Sequence, residues 1–222
     1  MELTQKIDGY CERMGPEYWA EPINAITNLA FILAGIWCLM MARRAGRTDG
    51  AVMLLSILII VIGVGSYLFH THATGWAALA DVIPIGLFIF SFFAIAMNRF
   101  VGLEWWKAGV ATVLFLAAAV FLSWLFRMTI TPYIGGSTSY FPAMIALFVV
   151  GLYLRGQAHP AGGWLIAAGW IFVASLTFRA LDLPLCGSVP FGTHFMWHIL
   201  NGVVLATLVV SVIRHGAPRA AP

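Results

Sequence analysis

The chain has 222 residues, of which 61% are hydrophobic and 9% charged, with a formal net charge of +3. That balance lies far outside soluble averages and marks an integral membrane protein. It also excludes a nucleic-acid-binding surface, because no block of basic residues or basic-aromatic patch occurs.

The first 21 residues, MELTQKIDGYCERMGPEYWAE, are polar and mixed in charge, unlike the basic start and short apolar core of a signal peptide. They are expected to persist as an extramembrane segment. Beyond them, seven apolar runs reach the roughly 17–20 residues that cross a bilayer. They lie near Pro22 to Ala42, Ala51 to Phe69, Trp76 to Met97, Ala108 to Phe126, Gly136 to Leu154, Gly162 to Phe178 and Phe191 to Ile213. The connections are short, so residues 1–222 read as one all-α domain, a seven-transmembrane-helix bundle.

Seven spans put the termini on opposite sides, and Lys and Arg choose the orientation. One side carries Arg43, Arg44, Arg47, Arg99, Lys107, Arg155, Arg214 and Arg219, the other only Lys6, Arg13, Arg127 and Arg179. The richer side is expected to be cytoplasmic, with the N-terminus outside, the C-terminus cytoplasmic, and Trp105 and Trp106 as interfacial anchors.

Within these apolar runs the polar residues stand out, because burying them in lipid is costly. His194 and His198, four residues apart at the start of the seventh span, share one helical face. The same spacing serves two metal ligands or two histidines that hydrogen-bond their neighbours. His70 ends the second span on the same side, which brings a third imidazole to that depth. Asp81 lies just inside the third span, and an isolated carboxylate there must pair, coordinate a metal, or act as an acid or base. Ser66, one turn before His70, shares its face, although a serine can also bond back to its own helix. Gly63 and Gly65 read as close-packing positions.

Three neutral imidazoles leave a fourth tetrahedral position for water, the arrangement of a catalytic zinc. Zinc brings the pKa of that water toward neutrality, Asp81 is placed to take its proton, and Ser66 or the metal can stabilise an oxyanion. The chemistry implied is hydrolysis.

The series G-x-G-S-x-x-F-H at Gly63 to His70, Asp81 eleven residues later and H-x-x-x-H at His194 to His198 resembles the alkaline ceramidases. These belong to a wider superfamily of seven-helix membrane hydrolases that includes the adiponectin receptors. Asp8, Tyr10-Cys11-Glu12 and Ala20-Glu21 followed by Asn24 are similar to the ceramidase D-W-C-E and A-E-x-x-N pattern, so the resemblance runs from about Asp8 to about Val210. It implies a zinc-dependent amidase that cleaves ceramide, or another N-acyl lipid, to a fatty acid and an amine. His70, His194 and His198 would be the ligands, Asp81 the residue that activates water, and Ser66 a neighbour of the metal and the scissile carbonyl.

The resemblance also implies a calcium site on the N-terminal segment, with Asp8, Glu12 and Glu21 as ligands. Two departures accompany it: Asp8 sits one residue farther from Cys11-Glu12 than the pattern has it, and Met14 replaces an asparagine ligand. The same acidic residues also read as a solvated cap. A disulfide between Cys11 and Cys186 is implied as well, on the outer side where oxidation is permitted, while Cys38 reads as core.

The protein is thus expected in a bacterial inner membrane as a multi-pass protein, its metal site toward the outer face, with a lipid substrate and no nucleic-acid partner. Two other readings stand beside the hydrolase. One is a receptor-like or structural protein in which zinc only staples helices; the other is a redox protein with histidine-ligated haem. His72 and Asp182 read as interfacial, Arg179 as a local ion-pair partner of Asp182, and His159 and His215 as remote from the site.

Overall fold

The computed structural model describes residues 2–131 and 135–218. Arg219, counted above among the cytoplasmic charges, lies outside the described residues, as does the rest of the tail after Pro218. Among the described residues, seven helices long and apolar enough to cross a membrane run in chain order. They are α1 (Pro22–Arg44), α2 (Gly50–His72), α3 (Gly75–Val101), α4 (Trp105–Thr129), α5 (Gly136–Gly156), α6 (Ala161–Leu181) and α7 (His194–His215). Among the described residues no strand forms, only an isolated antiparallel bridge between Lys6 and Thr74. A helical solution is what a bilayer demands, since every backbone N–H and C=O must be satisfied within its own segment.

Most helices run a few residues beyond the apolar stretches, for local reasons. The Asp49 carboxylate accepts hydrogen bonds from the backbone N–H groups of Ala51 and Val52, which starts α2 at Gly50. A wide π-type turn, Met97–Val101, carries α3 onward until Gly102, at φ +90°, ends it. In contrast, α7 begins at His194 and not at Phe191, because Gly192 turns the chain at φ +68°. A Cβ at Gly192 would meet the Asp182 carboxylate and the Cys11 side chain, so only glycine fits that turn.

The two most central helices are α2 and α7. α7 packs against α1, α2 and α6 and buries Val204, Leu208, Val209 and Val212, while α2 packs against α1, α3 and α7. Lipid tails are as apolar as leucine, so close approach of small residues holds such helices together. Gly63 lies against Asn28, Phe31 and Ile32 of α1, and Gly65 against the backbone of Ala80 and Asp81 in α3. A methyl at Gly65 would overlap the Ala80 carbonyl, so this glycine sets how near Asp81 stands to α2. At the periphery, α4 buries only Ala108 and exposes Val113, Leu114 and Phe121, the surface of a lipid-facing helix. Trp105 and Trp106 begin it, both exposed.

Residues 2–21 form a strap over one end of the bundle. Its first part follows the α2–α3 connection through backbone hydrogen bonds from Ile7 to Ala73, from Gly75 to Gln5 and from Trp76 to Leu3. Its later part is anchored by a disulfide between Cys11 and Cys186, with Cα atoms 5.5 Å apart, and Cys38 is a buried free thiol within α1.

Candidate metal centre

Alternation of the helices brings the end of α2, the beginnings of α1, α3, α5 and α7, and the end of α6 to the strap side. His70, His194 and His198 meet there, fully buried, with one candidate ligand atom from each lying within 4.8 Å of the others. Among the described residues this is the only such group of histidine, cysteine and acidic side chains.

The ring nitrogens are not equivalent. His70 Nδ1 lies 2.5 Å from Glu21 Oε2, and because a carboxylate accepts, the imidazole donates. His198 Nδ1 lies 2.9 Å from Thr27 Oγ1, whose own hydrogen is directed to the carbonyls of Ile23 and Asn24 at 2.8 and 3.1 Å. Thr27 therefore accepts from His198. Both rings thus donate from Nδ1, which leaves Nε2 of each as the nitrogen that can turn to a metal. His70 Nε2, His198 Nε2 and His194 Nδ1 are buried and have no hydrogen-bond partner. Three buried lone pairs cannot satisfy one another, and an orphaned buried polar atom is costly. This donor set can hold a metal ion, and its chemistry fits one that accepts imidazole nitrogen.

His194 is held from two sides. Its backbone N–H and that of Thr193 donate to Asp182 Oδ1 at 2.8 and 2.7 Å, and its ring stacks on Tyr10 at a centroid distance of 3.8 Å. Asp182 Oδ2 accepts from the Cys11 backbone N–H at 2.9 Å. Asp182 is thus a buried cap that joins the strap to the first turn of α7. The expected pairing of Arg179 with Asp182 gives way to other contacts. Arg179 donates to Ser137 Oγ at 3.0 Å and Tyr10 Oη at 3.4 Å and lies over the Tyr140 and Trp197 rings. Burial raises the pKa of the Tyr10 phenol, which keeps it neutral beside the histidines.

Ser66 and Asp81 lie beside the histidine group and outside the ligand set. The Ser66 hydroxyl is in hydrogen-bonding reach of Asp81, which also interacts electrostatically with His70 and Arg179.

The expected calcium set is not assembled. Both Glu12 oxygens accept backbone N–H groups at the start of α1, from Ile23 at 2.7 Å and Asn24 at 2.8 Å. Both Glu21 oxygens are also engaged: Oε1 takes Arg13 Nε at 2.5 Å, and Oε2 takes His70 Nδ1 together with Asn24 Nδ2 at 3.2 Å. Asp8 is exposed and stays apart from them. Burial pushes the Glu21 carboxyl up, but hydrogen bonds from His70 and Arg13 outweigh it and hold the group below its usual range. These carboxylates do not fit a calcium ion.

Sequence reasoning missed Thr27, Tyr10, Arg13 and Asp182. Of these, Asp182 and Arg13 left a trace as charges near the sparsely charged end. Tyr10 stood in the Tyr10-Cys11-Glu12 motif without a role, and Thr27 left no trace, because both roles depend on which neighbour folding supplies. His72 packs between the rings of Tyr18 and Trp76, and His159 and His215 lie at the other end beside Phe100 and Trp164.

An apolar cavity lies on the membrane side of the histidines, separated from them by its own wall. Phe31, whose ring is 6.2 Å from His198, forms part of its wall with Trp197, 6.4 Å from His194, and with Tyr140. Farther along, Phe88, Phe92, Leu205 and Leu208 continue the lining between α3, α5 and α7.

A buried histidine group that could hold a metal ion, at one end of a bundle of apolar helices long enough to cross a membrane, defines a class of multi-pass membrane protein with a candidate metal centre. The ceramidase family matches residues 4–218, and the chain belongs to that family. It is a ceramidase-type hydrolase. Comparison with curated proteins gave no match.

Proposed function

We propose that this protein is a zinc-dependent intramembrane amidase that cleaves ceramide or a similar N-acyl lipid to a fatty acid and an amine. The observation that carries the reading is the convergence of three unpartnered imidazole nitrogens beside an apolar cavity, with Asp81 next to them. Zinc held by His70, His194 and His198 would supply a Lewis acid for the attacking water and the scissile carbonyl.

The remaining work falls to the chain. The cavity between α3, α5 and α7 takes the acyl tail, which sets the amide at the histidine end. Asp81 accepts a proton from the attacking water as its oxygen bonds to the carbonyl carbon. The same carboxyl then gives that proton to the amide nitrogen as the C–N bond breaks, releasing the amine and a carboxylic acid. Ser66 holds Asp81 in place by its hydroxyl. Tyr10 and the strap close the site from water, and Glu21 and Thr27 keep the His70 and His198 lone pairs directed inward.

The strap end faces outward in this reading. The Lys and Arg distribution supports it, and so does a disulfide at that end, since such bonds persist outside a reducing cytoplasm. In a bacterial cell the metal site would meet the outer leaflet of the inner membrane.

The test is to incubate purified protein with ceramides and other N-acyl lipids, before and after chelation and with zinc restored. Release of fatty acid that chelator abolishes and zinc restores is expected. No release from any of these lipids would sink the enzyme reading, and zinc retained without turnover would favour a structural metal.

A further inference from the structure

The guanidinium of Arg13 occupies an unusual setting. The side chain is buried, and every acceptor around it is oxygen: Glu21 Oε1 at 2.5 Å from Nε, the Gly15 and Glu17 carbonyls at 3.0 and 3.4 Å from Nη1, and the His70 carbonyl at 3.0 Å from Nη2. One carboxylate and three backbone carbonyls form the kind of oxygen cage that hard divalent cations take. Here a side chain fills it. The guanidinium is always charged, and its planar fork spreads donors across several acceptors, which a bound ion would do by coordination.

The cage touches the histidine group twice. Glu21 receives Arg13 on one oxygen and His70 Nδ1–H on the other, and Arg13 itself grips the His70 backbone carbonyl. Partners behind a ligating histidine fix its ring and its basicity, and their loss commonly weakens metal binding by about 10–100-fold.

We propose that Arg13 is the resident cation of the strap, taking the place of a bound calcium ion and positioning His70 through Glu21, so that the histidine centre assembles without calcium. Arg13 is a positioning residue and touches no substrate. The Glu12 and Asp8 carboxylates are then free of any ligand duty: Glu12 caps α1, and Asp8 stays exposed. The proposal rests on the histidines holding a metal, and its test separates the two claims.

Wild-type protein is stripped of metal on a chelating resin and reloaded with zinc alone. Its calcium content, its thermal midpoint and its zinc affinity, measured by competition with a chromophoric chelator, are compared with and without millimolar calcium chloride. No stoichiometric calcium and no change in midpoint or zinc affinity are expected. One bound calcium per chain, or a calcium-dependent midpoint, would overturn the proposal, and this arm needs neither a variant nor a substrate. In Arg13→Ala, zinc affinity is expected to fall about 10–100-fold, with partial recovery on adding calcium or guanidinium to the emptied cage. Arg13→Lys, which keeps the charge but loses the fork, should fall between the two. Unchanged zinc affinity in both variants would also overturn it. Failure of wild-type protein to bind zinc would instead remove the hydrolase reading, while the calcium arm would still decide the role of Arg13.

Discussion

The two ends of the bundle solve the burial of polar groups in opposite ways. At the end away from the strap, Arg99 pairs with Asp49 at 2.5 Å, and Arg99 and Arg47 both donate to the Gly216 carbonyl, at 3.0 and 2.6 Å. Opposite charges there neutralise one another and tie the end of α3 to the start of α2 and the tail after α7. At the strap end three imidazole rings turn toward one another, each steadied from behind by Glu21, Thr27 or Tyr10. A set of like donors calls for a cation from outside the chain, whereas the Asp49–Arg99 clamp already holds its own cation, although Asp49 Oδ2 and Arg99 Nε remain without a hydrogen-bond partner. The difference separates a latch from a site.

Perturbing each end should therefore give different signatures. The largest effect is expected at Asp81. Asp81→Asn should lower kcat by about 10²–10⁴-fold, the usual worth of a positioned general base, while zinc content stays at the wild-type level by elemental analysis. Next comes Glu21→Gln, which removes the negative charge behind His70 and should weaken zinc about 10–100-fold in a chelator competition assay. Loss of turnover without loss of zinc affinity in that variant would contradict the assigned role.

Asp182→Ala leaves the N–H groups of Cys11, Thr193 and His194 without their acceptor, at a cost of about 1–3 kcal/mol for each that remains buried. Thermal unfolding in detergent should show the drop, with activity recovering at low temperature if the first turn of α7 re-forms. The smallest effect belongs to the latch. Asp49→Ala removes a helix cap worth about 0.5–2 kcal/mol and should leave zinc affinity and turnover unchanged. Burial raises the Asp49 carboxyl, but Arg99 outweighs it and holds the group below its usual range. Its folded pKa is depressed, so its contribution to stability is complete above the unfolded carboxylate range and is lost as pH falls through the folded value. Wild-type and Asp49→Ala midpoints should converge in acid and diverge toward neutrality.

Much of this contrast was legible in the chain. Seven apolar runs fixed the number of helices, and their alternation put His70, His194, His198, Ser66 and Asp81 at one end, because polar residues in such runs are rare enough to be located individually. Helix limits were less legible: caps such as Asp49 and turn glycines such as Gly192 act through geometry that hydropathy does not record. The partners of the histidines were least legible. Glu21 stood out as an acidic residue, but its two oxygens are claimed by Arg13 and His70, and no local spacing states that a cation eight residues away will reach it first. Asp182 was hidden similarly, since its three partners come from two distant segments that only the folded bundle brings together.

The account's central claim is that the three unpartnered nitrogens are a metal site, and elemental analysis of the protein purified without added chelator tests it most directly. One zinc per chain in the wild type and none in His194→Ala, both folded by circular dichroism, is the predicted result. A wild type without metal, or a His194→Ala protein that keeps its zinc, would contradict it.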